Sequence, residues 1–147
     1  MLKAALTGPW VEASDGDADR LYKIDAEDWD VDSLVIVMNA IHGLWPKVPR
    51  AVDLIQLCKI AIIINYYQVQ SALEIITPMW IKTLRHPEEV DENAEEYYLP
   101  ESYGEELISW MCIGWVFKDA GIFRETTFTA LRTCRSEVKV GRLPNPV

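Results

Sequence analysis

A chain of 147 residues, 50% hydrophobic and 25% charged, has the length of one domain or of a small domain with an appendage, and its composition excludes a disordered tail. At this size about 68–70% of the unfolded chain's surface can be buried, so no disulfide framework is required. With 14 Lys+Arg against 23 Asp+Glu the net charge is −9, which argues against a nucleic-acid phosphate backbone as the main partner, because such binders carry basic patches.

Met1–Leu6 reads as a helix stub ended by Gly8-Pro9, too short for the apolar core of a signal sequence. Arg20–Asp25 (RLYKID) is the one short alternating segment and the one strand expected. Asp32–His42 reads as a helix with Leu34, Met38 and Ile41 spaced i, i+4 and i+7, and Gly43 suits the left-handed position after it. The run Val35-Ile36-Val37 works slightly against that helix, because β-branching restricts χ1 there.

Three further helix starts share a local chemistry: Asp53 with Gln56, Ser71 with Glu74 and Ser102 with Glu105 each fit a capping box or its Asp/Gln variant. The first opens a helix from Asp53 to about Tyr67, with Leu54, Leu57, Cys58, Ala61 and Ile64 at helical spacing; its cap and length favour helix over a buried strand. The second opens Ser71–Leu84, with Leu73, Ile76, Trp80 and Leu84 on one stripe and Pro78 expected as a kink. Glu105–Lys118 is apolar nearly all round and is expected to be buried, Trp110 and Trp115 included. A last helix, about Ile122–Arg135, is expected to turn Phe123, Phe128 and Leu131 inward and to carry a basic outer face.

Charge divides the chain more sharply than hydropathy. From Glu88 to Glu106 there are nine acids and no base, and the remainder balances at 14 acids and 14 bases. Such a run is expected to be a solvated surface loop. The final GRLPNPV reads as a frayed tail.

Cys58, Cys112 and Cys134 are an odd count with no CxxC pair, which points to a reducing interior rather than a secreted disulfide scaffold. The longest stretches without charge, Ser33–Pro46 and Ile60–Leu73, fall short of the roughly 18 apolar residues of a membrane span. The expected protein is therefore soluble and intracellular, in nucleus or cytoplasm, with no membrane contact.

No chemistry-bearing constellation emerges. His42 precedes glycine at a helix end, where a histidine interacts favourably with the helix dipole, and His86 precedes proline in the acidic loop. Asp15, Asp17 and Asp19 begin like a calcium loop, but Arg20 stands where the turn needs glycine and Ala26 where the bidentate glutamate belongs. The expectation is no catalytic residue, no metal and no cofactor. Trp45 differs from the core tryptophans: it lies in the loop Leu44-Trp45-Pro46-Lys47, the best candidate contact surface, because exposed tryptophan is enriched at binding hot spots.

The order of motifs resembles a BTB/POZ domain of the type common in fungi. The pieces are LTGPWVE, RLYKID, AEDWDVDSL and VIVMNAIHG. Then come Ile41-His42-Gly43 with Val48-Pro49-Arg50, Asn65-Tyr66-Tyr67, Trp80, and LPESYGEEL followed by Trp110, Ile113, Trp115, Val116 and Phe117. The likeness spans roughly Leu6 to Phe128, and its specificity lies in the order of the pieces rather than in any one of them. It implies a mostly α fold, an α+β remnant lacking the hairpin and first helix of the full domain. The chain is then a fragment, a shortened product, or a member that has shed the front of the domain.

The expected organisation is a partial BTB/POZ-like domain over 1–85, an acidic linker over 86–99, a C-terminal helical extension over 100–136 and a flexible tail over 137–147. The implied function is non-enzymatic protein–protein interaction as an adaptor or assembly factor, with protein partners or self-association. With the front missing, Leu2 and Leu6 join Leu44, Trp45, Pro46 and Lys47 as candidate partner-binding residues. BTB proteins that recruit cullin-type ubiquitin ligases carry a hydrophobic-x-Glu motif in the equivalent loop; no glutamate stands there here, which leaves such a ligase open. Two alternatives remain: a transcription or chromatin cofactor acting through partner recruitment, and a small helical enzyme or ligand-binding protein with a Trp-lined pocket.

Overall fold

Asp30 starts the first helix. Its carboxylate accepts from the Ser33 amide at 3.0 Å and from the Ser33 hydroxyl at 2.8 Å, which satisfies a free donor of the first turn. Helix α1 then runs Val31–Ile41. The computed structural model describes residues 28–85 and 98–134. The expected stub Met1–Leu6, the strand Arg20–Asp25, most of the acidic loop and the tail lie outside the described residues, among which there is no strand.

Four more helices follow: α2 (Leu54–Tyr66), α3 (Thr77–Arg85), α4 (Glu105–Val116) and α5 (Ala120–Thr133). Short 3-10 turns at Trp45–Lys47 and Gln70–Ala72 lie between α1 and α2 and between α2 and α3. The molecule is mostly α, as the sequence implies. Helix α2 is its centre, with α1 and α4 packed against it and α5 against α4. As expected, Asp53 caps α2, accepting from the Gln56 amide at 2.7 Å. Leu57, Cys58, Ile60, Ala61, Ile63 and Ile64 are buried, so α2 is covered nearly all round and its β-branched run stays helical. One core takes residues from both sides of the connector, from Ile36 and Val37 to Trp110, Ile113 and Ile122.

Several local expectations are corrected. Helix α1 buries Ser33, Ile36, Val37 and Ala40; of the spaced apolar residues Leu34 and Ile41 are partly buried against the core and Met38 is exposed. Its apolar residues circle the helix, so spacing alone does not choose a face; the small Ser33 and Ala40 do, because they permit close approach to α2. The chain at Ser71 forms a 3-10 turn, and α3 begins only at Thr77. Pro78 sits in the first turn of α3, where a missing N–H costs nothing, and so begins a helix rather than kinking one. Helix α4 is preceded by Gly104, not Ser102, with no side-chain cap; Glu105 and Glu106 in its first turn meet the positive end of the dipole instead.

Helix α5 faces the other way from the sequence reading. Its buried residues are Ile122 and Thr126, while Phe128 is 64% and Leu131 80% exposed. The cause lies on α4. A Cβ at Gly114 would stand 2.8 Å from the Phe123 amide nitrogen, so the backbones are too close for large side chains between them. Thr126 fits that seam because its hydroxyl donates to the Ile122 carbonyl at 2.7 Å. Trp115, expected in the core, is 66% exposed and rests on Phe123 with ring centroids 5.5 Å apart.

Three helices end on the same hydrogen-bond pattern. The amides of Leu44, Val69 and Asp119 donate back to Asn39, Ile64 and Gly114, and the residue before each amide is left-handed: Gly43, Gln68 and Lys118. This is the Schellman arrangement. Glycine marks it only after α1, as the sequence reading expects; Gln68 and Lys118 accept a left-handed backbone that costs an L-residue roughly 1–2 kcal/mol.

Candidate docking face and the groups around it

The Schellman turn at Gly43 ends α1 and sends the chain into the 3-10 turn Trp45–Lys47, with Pro46 in its first positions. Val48 closes the turn, its amide donating to the Trp45 carbonyl at 3.0 Å while its side chain is buried. This anchor holds Leu44 and Trp45 at the surface, both exposed. Pro46 and Lys47 are exposed beside them. Leu2 and Leu6 lie outside the described residues.

A second set of exposed apolar residues lies along α1. Val31, Val35 and Met38 recur at i, i+4 and i+7, which is one face of a helix, and all three are exposed, Val31 at 71%. The face is rigidly backed, since Ile36, Val37 and Ala40 are in the core directly behind it. His42 follows, exposed at the C-cap of α1.

Polar and aromatic contacts fix α1 on α2. Lys59 Nζ donates to Asp30 at 2.7 Å. The Lys59 ammonium, followed by the two Ser33 hydrogen bonds, holds the Asp30 carboxyl down to about 2. The Trp29 indole N–H donates to the Tyr67 hydroxyl at 3.2 Å, and its ring meets that of Tyr66 edge-on at 5.2 Å. Two motif pairs noted in the sequence therefore meet in space: Trp29 with Tyr66 and Tyr67, and Trp80 with the Val48-Pro49-Arg50 junction. In the second pair, the Trp80 N–H donates to the Pro49 carbonyl at 2.9 Å.

A groove of about 840 Å³ lies between α3 and the α4–α5 turn, with Glu74, Lys82, Lys118 and Asp119 among its lining residues. No tryptophan lines it; Trp115 borders a smaller cleft of about 460 Å³, and Trp80 and Trp110 are core. Among the described residues no group of three His, Cys, Asp or Glu is placed to hold a metal ion. No described helix is long and apolar enough to cross a membrane.

The cysteines are less scattered than the sequence suggests. All three are free thiols, Cys58 on α2 buried and Cys112 on α4 partly buried. The Cys112 contact and then burial push the Cys58 thiol well up. The neighbouring Cys58 lowers Cys112. No family model, curated protein or solved structure matches the chain.

Proposed function

We propose that this chain is a non-enzymatic protein–protein interaction module, an adaptor or assembly factor of BTB/POZ-like type, working inside the cell in nucleus or cytoplasm. The observation that carries the reading is the exposure of Val31, Val35 and Met38 on one face of α1 and of Leu44 and Trp45 in the turn that follows it. Apolar side chains left exposed on a core-backed helix face are a common feature of protein-binding sites, and tryptophan is enriched at their hot spots. The ordered motifs of the sequence support the BTB/POZ likeness independently of this face. The occupant is a second protein. A transcription or chromatin cofactor would use the face in the same manner, through its partner's identity.

The test compares the wild-type chain with Val35→Asp and Trp45→Ala in co-purification from native extract, followed by rebinding of each purified partner. Both positions are exposed, so melting temperatures should stay close to wild type while partner binding falls at least tenfold. Partners retained by both variants would refute the face. Light scattering across a concentration series identifies a second copy of the chain as the occupant if mass rises with concentration and Val35→Asp abolishes the rise.

A further inference from the structure

Helix α5 has one covered side and one open side. Ile122 and Thr126 are buried, and opposite them Arg124, Phe128 and Leu131 recur at i, i+4 and i+7, all exposed. Glu125 and Arg132, also exposed, stand along one edge of the open side. Their spacing of i, i+7 is beyond the reach of ion pairs within a helix, which form at i+3 or i+4. Among the described residues neither makes an ion pair. The Arg132 guanidinium lies instead 5.8 Å from the centre of the Phe128 ring, at the border of the apolar pair.

The order of these charges makes the edge complementary to itself. An antiparallel second copy brings like edges together in reversed direction, so Glu125 of each chain faces Arg132 of the other. The two-fold axis then crosses α5 at the Phe128–Thr129 step, midway between the paired charges. The two Phe128 rings meet across that axis, and each Leu131 enters beside the other chain's Phe128. A parallel copy would set glutamate on glutamate and arginine on arginine. The antiparallel one also opposes the two helix dipoles favourably. We propose that α5 is a homodimerisation surface, on which two copies pack antiparallel through Phe128 and Leu131 with Glu125–Arg132 ion pairs on either side. At 14 residues α5 is about 21 Å long, so the contact falls short of the about 800 Å² per partner of a standard interface. The dimer is therefore weak and forms as concentration rises. It shares no residue with the α1 face assigned to a partner.

The test is sedimentation velocity on the full chain from micromolar to near-millimolar concentration. The mass should rise from one chain towards two. Phe128→Asp, at an exposed position, should stay monomeric throughout, whereas Val35→Asp on α1 should associate as the wild type does. Glu125→Arg and Arg132→Glu should each raise the dissociation constant by roughly tenfold or more, because like charges then face each other. Mixed in equal amounts, these two variants should associate again, since every facing pair is once more of opposite sign. Circular dichroism confirms that each variant is folded. A wild-type chain monomeric at every concentration would overturn the proposal and leave the α1 reading standing. Association that Val35→Asp abolishes and Phe128→Asp does not would move the second copy to α1. Charge variants that associate like the wild type, or that fail to recover on mixing, would also overturn it.

Discussion

At the α1–α2 junction the helices are held by side chains that reach across: Asp30 binds Lys59 at 2.7 Å while capping its own helix, and Trp29 donates to Tyr67. At the α4–α5 junction they are held by the lack of a side chain at Gly114, which brings the α5 backbone against α4, with threonine hydroxyls turned back onto their own helix. A hydroxyl from the far end of α5 also closes this pair, Thr133 Oγ1 accepting from the Tyr103 amide at 2.8 Å. The difference teaches how each junction fails. A latch of charges weakens with pH and salt, whereas a close backbone approach is indifferent to both and intolerant of a single methyl group. Under the proposed function, the latched junction is the one that carries the apolar face on α1.

The largest expected effect belongs to neither junction but to the core between them. Trp110 is 1% exposed on α4, within the shared core, and Trp110→Ala should cost about 3–5 kcal/mol in chemical denaturation. Its indole N–H is buried without a hydrogen-bond partner among the described residues, so Trp110→Phe should cost far less than Trp110→Ala. One cooperative transition in the Ala variant, followed by circular dichroism, would show the two junctions failing together. Two transitions would show that each melts on its own. Next comes Gly114→Ala. Alanine favours a helix interior over glycine by up to about 1 kcal/mol, but here its methyl meets backbone that has nowhere to yield. A net loss of about 1–3 kcal/mol is expected, and a gain in stability would mean the close approach is not what holds α5.

How much of this was readable in the sequence depends on whether the deciding neighbour was local. The Asp53 cap, the helicity of α2 and the left-handed Gly43 were all legible, because each is settled within a few residues. The start of α3 was missed although Pro78 was in view, since a proline reads as a kink inside a periodic stretch and as an opening only when the preceding turn is known. The outward turn of Phe128 and Leu131 was illegible, because it is decided by Gly114, which belongs to another helix. Of the candidate site, the loop Leu44–Lys47 was identified as surface by its position between helices. The stripe Val31, Val35 and Met38 was not, since a helix apolar on all sides gives no sign of which side its neighbour takes.

The smallest expected effect tests the latch itself. Asp30 is held at about 2 when folded, against an ordinary value of 3.8, with the Lys59 contact as the largest cause. A carboxylate whose folded value is depressed stabilises the fold above its unfolded value, and loses that contribution as pH falls through the folded one. Asp30→Asn is the sharp probe, because asparagine caps a helix about as well as aspartate and removes only the charge. The gap in unfolding free energy between wild type and Asp30→Asn should be constant above about pH 5, shrink between about pH 4 and 2, and close below that. Both side chains are about one-third exposed, which places the full gap in the range of surface pairs, about 0.2–1 kcal/mol, and lets added salt reduce it. Lys59→Gln should flatten most of the same pH dependence, since it removes the largest cause of the shift. Gly114→Ala, being steric, should show a gap from wild type that does not change over this range. Urea denaturation of the four proteins from pH 2 to 7 makes the comparison directly. A flat profile for Asp30→Asn, or a sloping one for Gly114→Ala, would break the distinction between the two junctions.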